Sequence, residues 1–155
     1  MKGSQKVIDA LNDALADELA AINQYMVHAE MAANWGYEKL HEFSEDLAVQ
    51  EMKHAEKLIS RILFLEGTPV VTEVHQVHIG DFLDKGLSND HQSELEAIAK
   101  YNAIVKLCVV ENDQGTKEMV DHILQDEEAH IDAIEERLDQ ITQMGVQNYL
   151  TTVVG

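Results

Sequence analysis

The chain has one cysteine (Cys108), one proline (Pro69) and no long apolar run, and each scarcity excludes a class of protein. A lone thiol rules out an intrachain disulfide and a four-thiolate metal knot. With a single Pro and only 8 Gly in 155 residues, little interrupts the backbone, so long helices are allowed. No stretch approaches the roughly 20 apolar residues of a membrane span. Met1–Ser4 leads directly into amphipathic sequence rather than a signal peptide. Positive charge is scarce as well: 11 Lys and Arg stand against 29 Asp and Glu, a net charge of −18. Nucleic acid and anionic membranes repel such a surface, whereas cations are drawn to it. The plain reading is a cytoplasmic protein. Its length suits one domain over residues 1–155, and 45% hydrophobic residues suffice to fill a core.

What the chain does contain is a repeat. Glu18 is followed 33 residues later by Glu51, with His54 three further on; Glu94 is followed 33 later by Glu127, with His130 three further on. An offset of 76 carries the first set onto the second, and also Leu11 to Leu87, Ile22 to Ile98, Tyr25 to Tyr101, Leu47 to Ile123 and Leu58 to Ile134. The surrounding apolar residues advance by threes and fours, the helical period.

Four long helices follow. The first runs through Ile8, Leu11, Leu15, Glu18, Ile22, Tyr25 and Ala29, capped by Ser4 and ended by Asn34-Trp35-Gly36. The second runs from Leu40 to Leu65 and stops at Glu66–Pro69. The third passes through Leu87 to Cys108, and the fourth through Val120 to Ile141 with Gly145 as its stop. Val146–Val154 fits a short fifth helix. Short turns make each pair an antiparallel hairpin. Between the pairs, a β-leaning stretch from about Thr68 to Ile79 is long enough to run the length of a bundle. The expected fold is all-α: a ferritin-like antiparallel four-helix bundle with one long crossover and a short fifth C-terminal helix.

All six ligand-type residues fall on the apolar stripe of their helix. Moving one isolated carboxylate into such an interior costs on the order of 20 kcal/mol by the idealised Born estimate. Four cannot remain there as bare anions. Protons could neutralise them, and so could two divalent cations, with the imidazoles as neutral donors. In Glu-x-x-His the two side chains sit about 60° apart around the helix, close enough for one ion. One Glu from each of two helices, plus Glu-x-x-His from each of the others, is the di-iron or di-manganese carboxylate pattern.

Chance pairs also occur in so acidic a chain. Glu38 and His41 form a third Glu-x-x-His, 13 residues before the Glu51/His54 pair and hence about 220° around the helix. Its repeat position is Gln114, so it reads as surface.

Tyr25 and Tyr101 each follow a ligand-type Glu by seven residues. A buried phenol seeks an acceptor, and a ligand carboxylate is the obvious one. Tyr25, or nearby Trp35, could instead supply an electron to oxygen chemistry. His91 lies at the repeat position of Leu15, lacks repeat support and reads as packing or surface. His28, His75, His78 and His122 read as surface or loop residues, and Cys108 as a small core residue. Met52 points about 100° from the ligand face. With Ala48, Ala55 and Ile59 it forms a second apolar stripe, which calls for a partner chain. A thioether can also ligate haem iron, but on these residues alone packing at a dimer interface is the favoured reading.

Several segments then occur in a specific order: Ala21-Ile22-Asn23-Gln24-Tyr25, Glu51-Met52-Lys53-His54-Ala55, Arg61–Gly67, Glu127–Asp132 and Gln147-Asn148-Tyr149-Leu150. Across nearly the whole chain they resemble the bacterioferritins, the haem-containing ferritins. The resemblance implies a 24-subunit cage that stores iron as a ferric mineral. It implies a ferroxidase centre holding two irons per subunit at Glu18, Glu51, His54, Glu94, Glu127 and His130, with Glu51 and Glu127 bridging. Met52, paired with its copy from a second chain, would ligate a b-type haem shared between subunits. A ferredoxin-type protein would be the electron donor. Asn34, Glu66, Asp132 and Asn148 match a pore between subunits. Departures exist: Asp46 and Gln50 stand where some members carry an accessory inner iron site, Ala133 where others have a tryptophan, and Thr151 where an amide is commoner. The competing reading is a rubrerythrin-like di-iron peroxidase or oxygenase without storage, which normally carries a four-cysteine module that one Cys cannot build. A third is a helical interaction protein with a structural metal.

Overall fold

A computed structural model describes residues 1–155. It contains five helices and no strand: α1 Gln5–Asn34, α2 Glu38–Phe64, α3 Leu83–Val110, α4 Gln114–Met144 and α5 Val146–Thr152. The first four are those the apolar periodicity predicts, and the fifth is the expected coda. None is long and apolar enough to cross a membrane. Helices α1 and α2 form one antiparallel hairpin and α3 and α4 the other, and α1 and α3 join the two.

The ends have local causes. Gly145 takes φ +82°, a left-handed conformation that costs glycine little and stops α4. Asp113 caps α4 by accepting from the Thr116 backbone N–H at 3.0 Å, and Arg61 of α2 donates to the same Asp113 and Thr116 side chains, tying α2 to α4. The expected Ser4 cap does not form. Its hydroxyl donates to Glu111 at the end of α3 instead, linking the two hairpins where a local bond was predicted.

The apolar residues form layers along the bundle. The largest cluster gathers Leu11, Leu15, Leu58, Ile62, Ile104 and Ile123 with others toward the start of α1. At the other end Ala32, Leu40, Leu83 and Leu87 pack with Tyr149 and Val153 of the C-terminal segment, so α5 closes that end. Tyr25, Leu47, Ala48 and Ile134 make a third cluster between them. Glu18, Glu51, Glu94 and Glu127 lie at 1–2% exposure in this apolar setting.

The crossover, residues 65–82, forms no strand despite its β-leaning composition. No neighbouring strand offers a ladder, so single groups of α1, three side chains and one carbonyl, meet its backbone one at a time. Asn12 accepts from the Val70 N–H and donates to the Thr68 carbonyl. Further along, the His75 N–H meets the Ala16 carbonyl, the His78 N–H meets Gln24 Oε1 and the Gly80 N–H meets His28 Nε2. The contacts ascend α1 in step, so the crossover runs parallel to that helix.

His28 is therefore not the surface residue the sequence suggests. It is 7% exposed, and its Nδ1 donates to Asp90 at 2.9 Å while Nε2 accepts from Gly80. Asp90 also accepts from Gln24 Nε2 at 2.8 Å. The partner lies 62 residues away and is invisible to local pattern.

Gln24→Ala would leave a buried Asp90 oxygen and the His78 N–H short of partners. We expect it to lower stability by about 1–3 kcal/mol in chemical denaturation, and to speed amide hydrogen exchange around residues 78–80 well before the core opens.

Candidate metal centre

The fold brings all six ligand-type residues together in the bundle interior. Two overlapping groups result, Glu18, Glu51, His54 and Glu127 on one side, and Glu51, Glu94, Glu127 and His130 on the other, each with donor atoms within 4.8 Å of one another. Glu51 and Glu127 belong to both. Each helix contributes through the repeat: α1 gives Glu18, α2 Glu51 and His54, α3 Glu94, α4 Glu127 and His130. His54 Nδ1 lies 2.9 Å from Glu127, 3.2 Å from Glu51 and 3.8 Å from Glu18. His130 Nδ1 lies 2.8 Å from Glu51, 3.5 Å from Glu94 and 3.7 Å from Glu127.

Of these approaches only that of His54 Nδ1 to Glu51 Oε2 is a hydrogen bond. Glu18 Oε2, Glu51 Oε1, Glu94 Oε2, Glu127 Oε1 and His130 Nδ1 are buried with no aligned partner. Buried polar atoms are almost always paired, and five orphans aimed at one another are a donor set for cations. Four carboxylates match two divalent ions in charge, and the mixed oxygen and imidazole set suits iron, manganese or zinc.

A profile of the ferritin family, described as a ferritin-like domain, matches residues 8–144. The chain is 40% identical to a bacterioferritin of Brucella melitensis over 149 residues, 96% of this chain and 92% of that protein. It is 37% identical to a bacterioferritin of Streptomyces coelicolor, over 99% of this chain and 92% of that one, and 37% identical to a bacterial ferritin of Paramagnetospirillum magnetotacticum, over 100% and 96%. The chain belongs to the bacterioferritins.

In this bacterioferritin the two tyrosines cross the pseudo-twofold axis. Tyr25 donates to Glu94 and Tyr101 to Glu18, each at 2.5 Å. The acceptor is a ligand-type carboxylate, as expected, but on the opposite hairpin rather than on the tyrosine's own helix. Burial, reinforced by the neighbouring carboxylates, keeps both phenols protonated. Trp35 does not reach the centre; it packs on Phe82 at a ring separation of 5.8 Å.

Two side chains off the apolar stripes also hold the centre. His54 Nε2 lies 2.9 Å from Asp126, and His130 Nε2 lies 2.7 Å from Gln50. The signal was available, since the same offset of 76 carries position 50 onto 126. His75 and His78, read as loop residues, border a cleft that runs past Ala20, Ala21 and Ala97 to Glu18, Glu51, Glu94 and Glu127. His75 pairs with Asp17, which Lys100 also binds.

His41 stays away from the centre, its Nδ1 on the Ala29 carbonyl. His91 pairs with Glu135 near the surface. Cys108 is fully buried in the core. Met52 is 45% exposed, as are Val49, Met26 and Val27 to similar degrees. Ala48 and Ala55 are not part of that face; the α1–α2 packing already buries them. Asn34 ends α1, whereas Glu66 sits beside Met1 at its start, about 45 Å along a 30-residue helix. One chain cannot bring these two together.

The electrostatics show what the cluster does without cations. Burial first, then repulsion from neighbouring carboxylates, pushes Glu51 and Glu127 well above the ordinary value. Burial acts the same way at Glu94 but is outweighed by the nearby His130, Glu127 and Tyr25, which hold it below its usual value. At His54 burial opposes the charge, yet Glu127, Glu18 and Glu51 prevail and raise its pKa; Glu94 does the same for His130. Protons and metals therefore compete for one site.

A raised pKa means the folded state holds protons the unfolded chain would release, so stability is lost as pH climbs. Four raised groups oppose one lowered group. The window opens at the ordinary carboxylate value of 4.5 and continues through the histidine value of 6.5. The melting temperature of metal-stripped protein should fall between about pH 5 and pH 8, and added Zn²⁺ should restore more at pH 8 than at pH 5. A stripped protein whose melting temperature rises over that range would contradict this account.

Proposed function

We propose that the paired sites bind and oxidise ferrous iron, the step that feeds iron storage. Storage is the function that membership of the bacterioferritins carries. One observation supports the ferroxidase reading above all: two buried donor groups that share Glu51 and Glu127. Iron is the substrate. Glu18 and His54 would hold one Fe²⁺, Glu94 and His130 the other, with Glu51 and Glu127 bridging. Each Fe²⁺ gives up one electron, and two adjacent ions deliver the pair that oxygen or peroxide accepts without a free one-electron product. As iron binds, Glu51, Glu127 and the imidazoles release protons. Tyr25 acts through Glu94, whose orientation it fixes. The cleft beneath the crossover, floored by small alanines and acidic at depth, suits the passage of a cation.

In this reading the chain acts as one domain, residues 1–155, in a 24-subunit cage in the cytoplasm. Asn34, Glu66, Asp132 and Asn148, all exposed, would line a pore that several copies complete. Met52 fits haem: its exposed thioether stands clear of its own bundle, where the same residue of a second copy can meet it. Haem bound there would supply an electron path for reducing stored iron, with a ferredoxin-type donor.

Aerobic Fe²⁺ loading, followed by sizing and iron counting, tests the core of this. Far more than two irons per chain should be retained in a particle the size of a cage; retention of two or fewer excludes storage. Even an outer partner of a ligand is worth about 10–100-fold, so Glu51→Ala or Glu127→Ala should slow oxidation at least tenfold. Met52→Leu should abolish the Soret band of the purified protein while leaving the initial oxidation rate intact.

A further inference from the structure

The repeat that builds the centre is broken at the two side chains that hold its histidine rings. Asp126 takes Nε2 of His54 and Gln50 takes Nε2 of His130. Both are the residues immediately before a bridging glutamate, and the offset of 76 superposes them. One is a carboxylate and the other a neutral amide.

The chemistry of the rings follows. Each Nδ1 faces three of the four carboxylates, Glu18, Glu51 and Glu127 for His54 and Glu51, Glu94 and Glu127 for His130, so a metal needs its lone pair, and Nε2 must then carry the hydrogen. Asp126 accepts that hydrogen with a full charge. Gln50 must accept with Oε1, the atom that faces the ring. A carboxylate acceptor makes the imidazole a more basic donor than an amide can. Three other acids near the two ends already have partners of their own. Asp90 is engaged by His28 and Gln24 on the Glu94 side, and Asp13 and Asp17 by Lys100 and His75 on the Glu18 side.

We propose that Gln50 and Asp126 are positioning residues that make the two metal subsites unequal, the His54 subsite binding first and more tightly than the His130 subsite. This rests on the reading of the six residues as a two-metal centre. Removing an outer partner costs about 10–100-fold in metal affinity. Gln50 still holds its ring, so the difference belongs at the low end, about tenfold.

Titrating metal-stripped protein with Co²⁺ anaerobically, by visible absorption and calorimetry, separates the steps without any turnover. Wild type should take two Co²⁺ per chain in two steps about tenfold apart, and the first equivalent should shift the NMR ring resonances of His54 before those of His130. Gln50→Asp should tighten the second step until the two merge. Asp126→Asn should weaken the first with the same merging. The double exchange should restore the separation with the order of the rings reversed. Both side chains lie at the surface, and helix content and thermal melts confirm that the variants are folded. Two equal steps in wild type, His130 shifting first, or a separation that Gln50→Asp leaves unmoved would overturn the inequality. Binding of fewer than two Co²⁺ would instead remove the two-metal reading beneath it.

Discussion

Four carboxylates buried at 1–2% exposure set the terms for this molecule. In a low-dielectric interior they repel one another, and only protons or cations allow the helices to pack around them. The apolar layers on either side are ordinary bundle core. The layer of acids between them is not, and its stability is tied to what neutralises it. Folding and ion binding are thus coupled through the same six side chains.

Symmetry then decides what the site can do. Because the hairpins are related by an offset of 76 residues, each supplies one single carboxylate and one Glu-x-x-His pair. Two neighbouring donor groups arise that share Glu51 and Glu127, the arrangement on which the proposed two-electron reaction rests. The crossover leaves one side of the bundle reachable, lying along α1 above a cleft that descends to the carboxylates. Its attachment to Asn12, Ala16, Gln24 and His28 places it there without a second sheet or helix.

Much of this was legible before any coordinates. Periodicity located the helices, and the repeat identified all six residues that converge, because burial of an acid on an apolar stripe is a local property. What escaped depended on distant partners. His28 reads as surface until Asp90 and Gly80 are placed around it. Ser4 looks like a cap until Glu111 arrives from another hairpin. The Thr68–Ile79 stretch has strand composition, but a strand needs a neighbour and none exists. Ala48 and Ala55 seemed to share the face of Met52, yet small residues let α1 approach and cover them. Asp126 lies off the apolar stripe, and Gln50 is legible only as a departure at an accessory position, so neither points to the histidine ring it holds until the 76-residue offset pairs them.

The crossed tyrosines carry one more implication. Each hairpin presents a phenol that bonds to the other hairpin's glutamate, and each holds one of the two glutamates common to both donor groups. A cut anywhere in the crossover would yield fragments that are chemically incomplete alone, with an orphaned hydroxyl and an uncompensated acid on both. Such fragments have a strong reason to find each other again, and the partner each requires repeats its own pattern of acids, imidazole and phenol.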